Sequence, residues 1–341
     1  MKQQKKNKAI QTIRAFLLDF ALLSYILLIV YKLVWEKHIL LLSEMPFEWT
    51  DLLTIFYLSL PITLIQFFIP GFSVGKVVYM AAIPRYKIYR IWIYSALILT
   101  IYTGFVISQF SAREFFSPSG LEGAGRIFRS LLNPDFSIFN EALFAAVETI
   151  YMAFMATVIA IPFAFVLSFA AAKNLMNGTP ALRFTYHFLR AILNFSRSIE
   201  PLIWAVIFSV WVGIGPFAGM LALMLHSIAS LAKLYSEQIE GISEGPIEAI
   251  RSTGASYIYV LWYGVVQQVL LPYLSFTIYR WDINLRMATV IGLVGGGGIG
   301  TMLMQYQGLA KWRQVGLIVL VIAAIVWLMD YASAKIRENI K

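Results

Sequence analysis

Arg280, Asp282 and Arg286 sit within one apolar segment of the chain. Charge in such a place is expensive and usually faces a bundle interior or water. Asp282 and Arg286 are four residues apart, on one face of a helix, so they can pair. Arg280 lies two residues before Asp282, on a different side. At least one arginine is then left without a partner in this segment. An unpaired cation along a pore suits a transient anion. The plainer reading is an ion-pair network that braces helices, or Arg280 snorkelling to an interface. Arg197 and Glu200, three residues apart ahead of Pro201, carry the same two readings, with bracing preferred. Glu148, in an earlier apolar stretch, is one more candidate for such a path.

Other chemistries find little support. The only histidines are His38, His187 and His226, and there is no cysteine. No His-Glu-x-x-His pattern occurs, so metal-dependent or thiol catalysis is not expected. Ser227 and Ser230 stand at helical spacing from His226, and small polar residues in spans usually serve packing. A phosphate-cradling loop needs G-x-x-x-x-G-K-[ST]. Neither the run Gly295, Gly296, Gly297, Gly298 nor Gly75-Lys76 meets that pattern. The chain itself is therefore not expected to hydrolyse ATP. The glycine run reads as a sharp turn with close helix approach.

The elements that must position these residues are membrane spans. Of 341 residues, 60% are hydrophobic and only 13% charged, which indicates a polytopic all-α membrane protein. The net charge of +9 comes mostly from basic residues between apolar runs. That distribution orients a membrane protein and does not ask for a nucleic acid. The Lys-rich start leads into an apolar run with no small-residue cleavage site, so it reads as a retained span. About eight spans follow from the pattern, near 16–35, 52–69, 91–110, 143–171, 199–211, 217–234, 273–293 and 315–331. Pro61 is expected to kink the second span and Pro162 to break the fourth. The fifth has the option of starting near Phe188 as one continuous helix kinked at Pro201. Polar residues Glu36, Glu44, Glu48 and Asp51 separate the first two spans, and Lys76, Arg85, Lys87 and Arg90 follow the second. The Lys and Arg bias puts both termini, and residues 237–267, in the cytoplasm of a bacterial cell membrane.

Residues 237–267 hold Glu237, Glu240, Glu244, Glu248 and Arg251, too many charges for hydrocarbon. Pro246 can open a short helix there, because the N–H it lacks would be unpaired anyway. Ile247, Ala249 and Ile250 give that helix an apolar side, and Gly254 can end it in a left-handed conformation. A short amphipathic helix offered to water by a membrane protein looks like a docking element.

Glu248-Ala249-Ile250, then Gly254, resembles the EAA motif of ABC importer permeases. Three blocks resemble the phosphonate importer permeases in particular. They are GIGPFAGMLALMLHSIASLAKLYSE at 213–237, WYGVV at 262–266 and YRWDINLRMATVIGLVGGGGIG at 279–300. The likeness runs from about residue 133 to the C-terminus. One departure stands out. The family motif usually closes with Leu-Pro, where this chain has Val266 and Gln267, and Leu271-Pro272 comes later. The resemblance implies a MetI-like permease core of five or six spans over 141–341, with 237–267 as its cytoplasmic coupling loop. It implies a homodimer, a separate ABC ATPase that uses ATP and Mg, and an extracytoplasmic substrate-binding protein. It assigns ATPase coupling to Glu248, Ala249, Arg251 and Gly254. A translocation path then includes Arg280, Asp282, Arg286, Arg197 and Glu200, and an external gate Gly295, Gly296, Gly297, Gly298 and Gly300. The cargo implied is phosphonate or a related small phosphorus oxyanion, with phosphate, phosphite or methionine as alternatives.

Residues 1–110 lie outside that core apart from the third span, and 111–140 read as an external linker. Arg14-Ala15-Phe16-Leu17-Leu18-Asp19 and Ser73-Val74-Gly75-Lys76 resemble the RDD family of small membrane domains. A non-transport RDD-type scaffold is accordingly the other class of reading, and it has no need of the docking helix.

Overall fold

The computed structural model describes residues 2–32, 48–80 and 87–340. Glu36, His38, Glu44, Arg85 and the far end of the first span lie outside the described residues. The chain divides into two compact units, up to Gly120 and from Leu121 onward. No strand occurs among the described residues.

The first unit contains α1 (Lys2–Ile29), α2 (Trp49–Phe68), α3 (Val74–Met80), α4 (Tyr89–Ile107) and the short α5 (Ala112–Phe115). A capping box between Glu48 and Asp51 starts α2, which runs on through Pro61. Lys32 pairs with Asp51 at 2.6 Å. The two RDD-like segments meet. The Asp19 carboxylate, fully buried, accepts hydrogen bonds from Ser73 Oγ and, at 2.8 Å, from the Gly75 amide. Gly75 must be glycine, because a Cβ there would fall 1.9 Å from the Ala15 carbonyl oxygen.

In the chain beyond, α6 (Pro118–Leu131) straddles the boundary and α7 (Phe139–Ala170) is one unbroken helix, so Pro162 does not break it. Then come α8 (Pro180–Ser198), α9 (Pro201–Val212), α10 (Pro216–Glu240), α11 (Glu244–Ser252), α12 (Tyr257–Tyr259), α13 (Gln267–Gly292), α14 (Gly298–Gly308) and α15 (Trp312–Ile340). The segment before Pro201 is neither a plain connector nor half of a continuous helix. It forms the 19-residue α8, and α9 departs from it at 89°. Seven helices among the described residues are long and apolar enough to cross a bilayer, or eight if α8 and α9 count as one span.

α7 and α10 form the most extensive helix pair. Their buried residues are small: Ala153, Ala156 and Ala160 on α7, and Ala218, Ala222, Ala229 and Ala232 on α10. In lipid, where apolar burial gives little drive, small residues let backbones come close and gain dispersion energy. Two of three apolar clusters are built on this pair, and the third joins α7 to α14 and α15. One gathers around Tyr235, Ile239 and Tyr273, one around Leu223, Leu285 and Ile291, and one around Ile299, Leu317 and Ile318. Asp135, ahead of α7, accepts from the Ser137 amide, which holds its carboxyl below the usual range.

Candidate functional site

The docking helix expected from the sequence is α11. It starts at Glu244, two residues earlier than Pro246. Pro246 is tolerated because the first four N–H groups of a helix lack intrahelical partners. Gly254 follows the helix with φ +80°, the left-handed geometry that a residue with a Cβ resists. Glu248, Ala249 and Arg251 are exposed, and Glu248 and Arg251 make no ion pair among the described residues. Ile247 and Ile250 turn the other way and pack on Gly264. A Cβ on Gly264 would come within 3.3 Å of Ile247 Cα.

Gly264 lies in a π-helical stretch, Val260–Val266, that runs directly into α13. With Val266 and Gln267 in place of Leu-Pro, the helix runs through position 267 without a break, and the proline carried inside α13 is Pro272. Gln268 was not singled out by the sequence, yet it fastens the start of α11. Its Oε1 accepts from the Ser243 amide at 3.1 Å, and its Nε2 donates to the Ser243 carbonyl at 3.2 Å and to the Gly264 carbonyl at 2.6 Å. The first residues of the expected loop, 237–240, belong to α10. There Glu240 pairs with Arg190 of α8 at 2.6 Å.

The five expected path residues separate into three places. Asp282 and Arg286 pair at 2.6 Å, and Arg286 also reaches Asp330 of α15 at 2.8 Å. The Arg286 side chain is 52% exposed, so it stands at the edge of the bundle, not inside it. This trio braces α13 against α15. Arg197 and Glu200 are both exposed and do not pair with each other, because the chain breaks between α8 and α9 at that point. Arg280 is 7% exposed, and its Nε donates to Ser227 of α10 at 3.1 Å. Ser227 exchanges hydrogen bonds with Asn284, which also donates to Thr157 of α7 at 2.8 Å. Ser227 is thus part of a buried polar network and not a mere packing residue. Arg280 and Asn284 are four residues apart, a spacing that could have linked them in advance. Next to Ser227, His226 Nδ1 meets the Ile199 carbonyl at 3.2 Å.

The glycine run lies at the other end of α13. Gly295, Gly297 and Gly298 have φ of +89°, +82° and +68°. A Cβ on Gly297 would fall 2.6 Å from Pro216 N, and one on Gly300 would fall 2.0 Å from the Thr289 carbonyl oxygen. Gly296 is closed in by Ile291. Gly298 and Gly300 belong to the first turn of α14, and the Ile299 amide donates to Thr149 of α7 at 2.8 Å. A cavity of about 440 Å³ opens here, lined by Glu141, Glu148, Pro216, Gly297, Gln305 and Tyr306 among others. Glu148 therefore faces this mouth and not the Arg280 cluster.

Comparison with known proteins gives the fold a family. Residues 164–334 match the family described as binding-protein-dependent transport system inner membrane component. The phosphite transport system permease protein PtxC of Stutzerimonas stutzeri is 37% identical over 223 residues, which cover 65% of this chain and 80% of that protein. The phosphate-import permease protein PhnE of Mycolicibacterium smegmatis is 42% identical over 194 residues, 57% of this chain and 36% of that one. A solved structure of the methionine ABC transporter MetNI, inward-facing, shares the fold with a TM-score of 0.53 at 20% identity. It covers 61% of this chain and 99% of the other. An all-helical multi-pass permease, with this family match over half its length, belongs to the binding-protein-dependent transport system inner membrane component family.

Proposed function

We propose that the chain is the membrane-spanning subunit of an ATP-driven importer that moves a small phosphorus oxyanion, phosphonate or phosphite, into the cell. The observation that carries this reading is α11, an exposed helix fixed to the start of α13 by Gln268 and Gly264. The phosphite and phosphate import functions named for the relatives support the cargo. Glu248, Ala249, Arg251 and Gly254 form the handle for a separate ATPase, which uses ATP and Mg. Closure of two ATPases draws the handles of a homodimer together. The pull passes through the Val260–Val266 stretch into α13 and shifts the balance of inward-open and outward-open states. The glycine mouth, from Gly295 to Gly300, acts as the external gate that receives cargo from an extracytoplasmic binding protein. Both termini and α11 then lie in the cytoplasm.

An ATPase should co-purify with the full chain and be lost when residues 244–254 are replaced by a Gly-Ser linker. Retention of the ATPase by that variant would sink the handle. The RDD-like contact of Asp19 with Ser73 and Gly75 supports a reading of the first unit as a membrane domain with packing of its own.

A further inference from the structure

The network around Arg280 does more than brace. Ser227 holds only the Nε edge of the guanidinium, and Asn284, fully buried, holds Ser227 against Thr157. The two terminal nitrogens of Arg280 have no hydrogen-bond partner, and no carboxylate pairs with it, among the described residues. A cation this buried with no counter-charge is costly, and bracing alone would be served better by a neutral side chain. Three helices thus fix one arginine in a set pose and leave its fork unfilled. A second arginine lies on the His226 side of this network. Arg197, in the last turn of α8, is exposed and makes no ion pair among the described residues. His226 is tied to the Ile199 carbonyl, two residues from Arg197.

We propose that Arg280, Arg197 and His226 form an anion stop within the membrane unit, whose ligand is a small tetrahedral phosphorus oxyanion. It rests on the transport reading above and adds where cargo pauses and what charge it must carry. The planar fork of a guanidinium matches two oxygens of such an anion, and the hydrogen bonds are charge-assisted. Two positive centres, neither paired with a carboxylate among the described residues, repel an ammonium group, so a zwitterion such as methionine is disfavoured. Ser227 and Asn284 are positioning residues, since they act through Arg280.

The test uses the full chain in liposomes with its ATPase and binding protein, and follows uptake of phosphite and of methionine. Phosphite binding to the purified full chain is measured beside it. Arg280→Gln should lower phosphite uptake about tenfold or more, the usual loss for charged hydrogen bonds. Arg197→Gln should lower it too, and because Arg197 is exposed, misfolding does not explain that loss. Both variants should lose phosphite binding while the ATPase still co-purifies with the chain, since α11 is untouched. Ser227→Ala should raise the KM for phosphite more than it lowers the maximal rate. Wild-type phosphite uptake that persists in both arginine variants overturns the stop and leaves the transport reading standing. A wild-type complex that takes up methionine and not phosphite overturns the transport reading itself.

Discussion

Arg286 and Arg280 are six residues apart and answer to different neighbours. Arg286 compensates Asp282, a carboxylate 6% exposed, and one Asp282 oxygen has no hydrogen-bond partner among the described residues. Arg286→Ala should therefore cost stability before it costs transport. The expected loss lies between the ~1 kcal/mol of an exposed pair and the ~3–5 kcal/mol of a buried one, because half of Arg286 meets solvent or lipid. Adding Asp282→Asn to that variant should recover much of the loss, read as the thermal midpoint of the purified protein. A double variant no more stable than Arg286→Ala would argue against the brace. Gly254 carries a different kind of constraint. Nothing lies within 4 Å of where its Cβ would sit, so the cost of Gly254→Val is backbone strain, about 1–2 kcal/mol or more at φ +80°. The protein should still reach the membrane in normal amount, with uptake lost as the handle turns away. Normal uptake by this variant would count against coupling through α11. The Asp282–Arg286 pair and the Gly254 turn were legible because spacing and residue type alone determine them. The partners Ser227 and Thr157 were not, since they come from α10 and α7 and only packing brings them to Arg280.

At the scale of elements, the junction of α11 with α13 decides how force would travel. Three hydrogen bonds from one side chain, Gln268, tie the N-terminus of α11 to the π-helical stretch. A π-helix is a strained, wide turn that recurs at functional sites. Gln268→Ala should loosen α11 without touching any proposed docking residue. Limited trypsin cleavage after Arg251 should quicken, and uptake should fall while the ATPase still co-purifies. Unchanged cleavage would mean that the contact of Ile247 and Ile250 with Gly264 holds the helix alone. The sequence showed α11 through its amphipathic pattern and its terminal glycine. It also showed the missing proline at position 267, but the consequence depends on how Gly264 seats the isoleucines, which no local pattern encodes. The break between α8 and α9 escaped in the same way. Pro201 marks a helix start as readily as a kink, and the Ile199 carbonyl freed at the break meets His226.

At the scale of the molecule, the parity of membrane crossings turns on that broken pair. α9 has 12 residues, about 18 Å of helix, too short for a hydrocarbon layer near 30 Å. Its two neighbours nevertheless require a crossing. The chain after α7 is fixed beside the C-terminal end of α10, where the Lys173 amide and Asn174 Nδ2 donate to Glu240 and to the Ile239 carbonyl, each at 2.8 Å. The chain after α9 enters α10 at its opposite end, where Pro216 meets Gly297 at the glycine mouth. Between Asn174 and Gly213 the chain must therefore travel the length of α10, a 25-residue helix long enough to span. Counting α8 and α9 together as one bent crossing brings the helices long and apolar enough to span, among the described residues, to eight, an even number. An even number is what the proposed topology, with both ends of the chain on one side, requires. The Lys-rich residues before α1 favour the cytoplasm for that side. A fluorescent protein that matures only in the cytoplasm should glow when fused ahead of residue 1 and equally when fused after residue 341. Alkaline phosphatase inserted at residues 213–215 should be active, because that turn belongs to the opposite face. Were one terminal fusion dark, the bent pair would be a re-entrant loop, and α11 could not share a compartment with both ends.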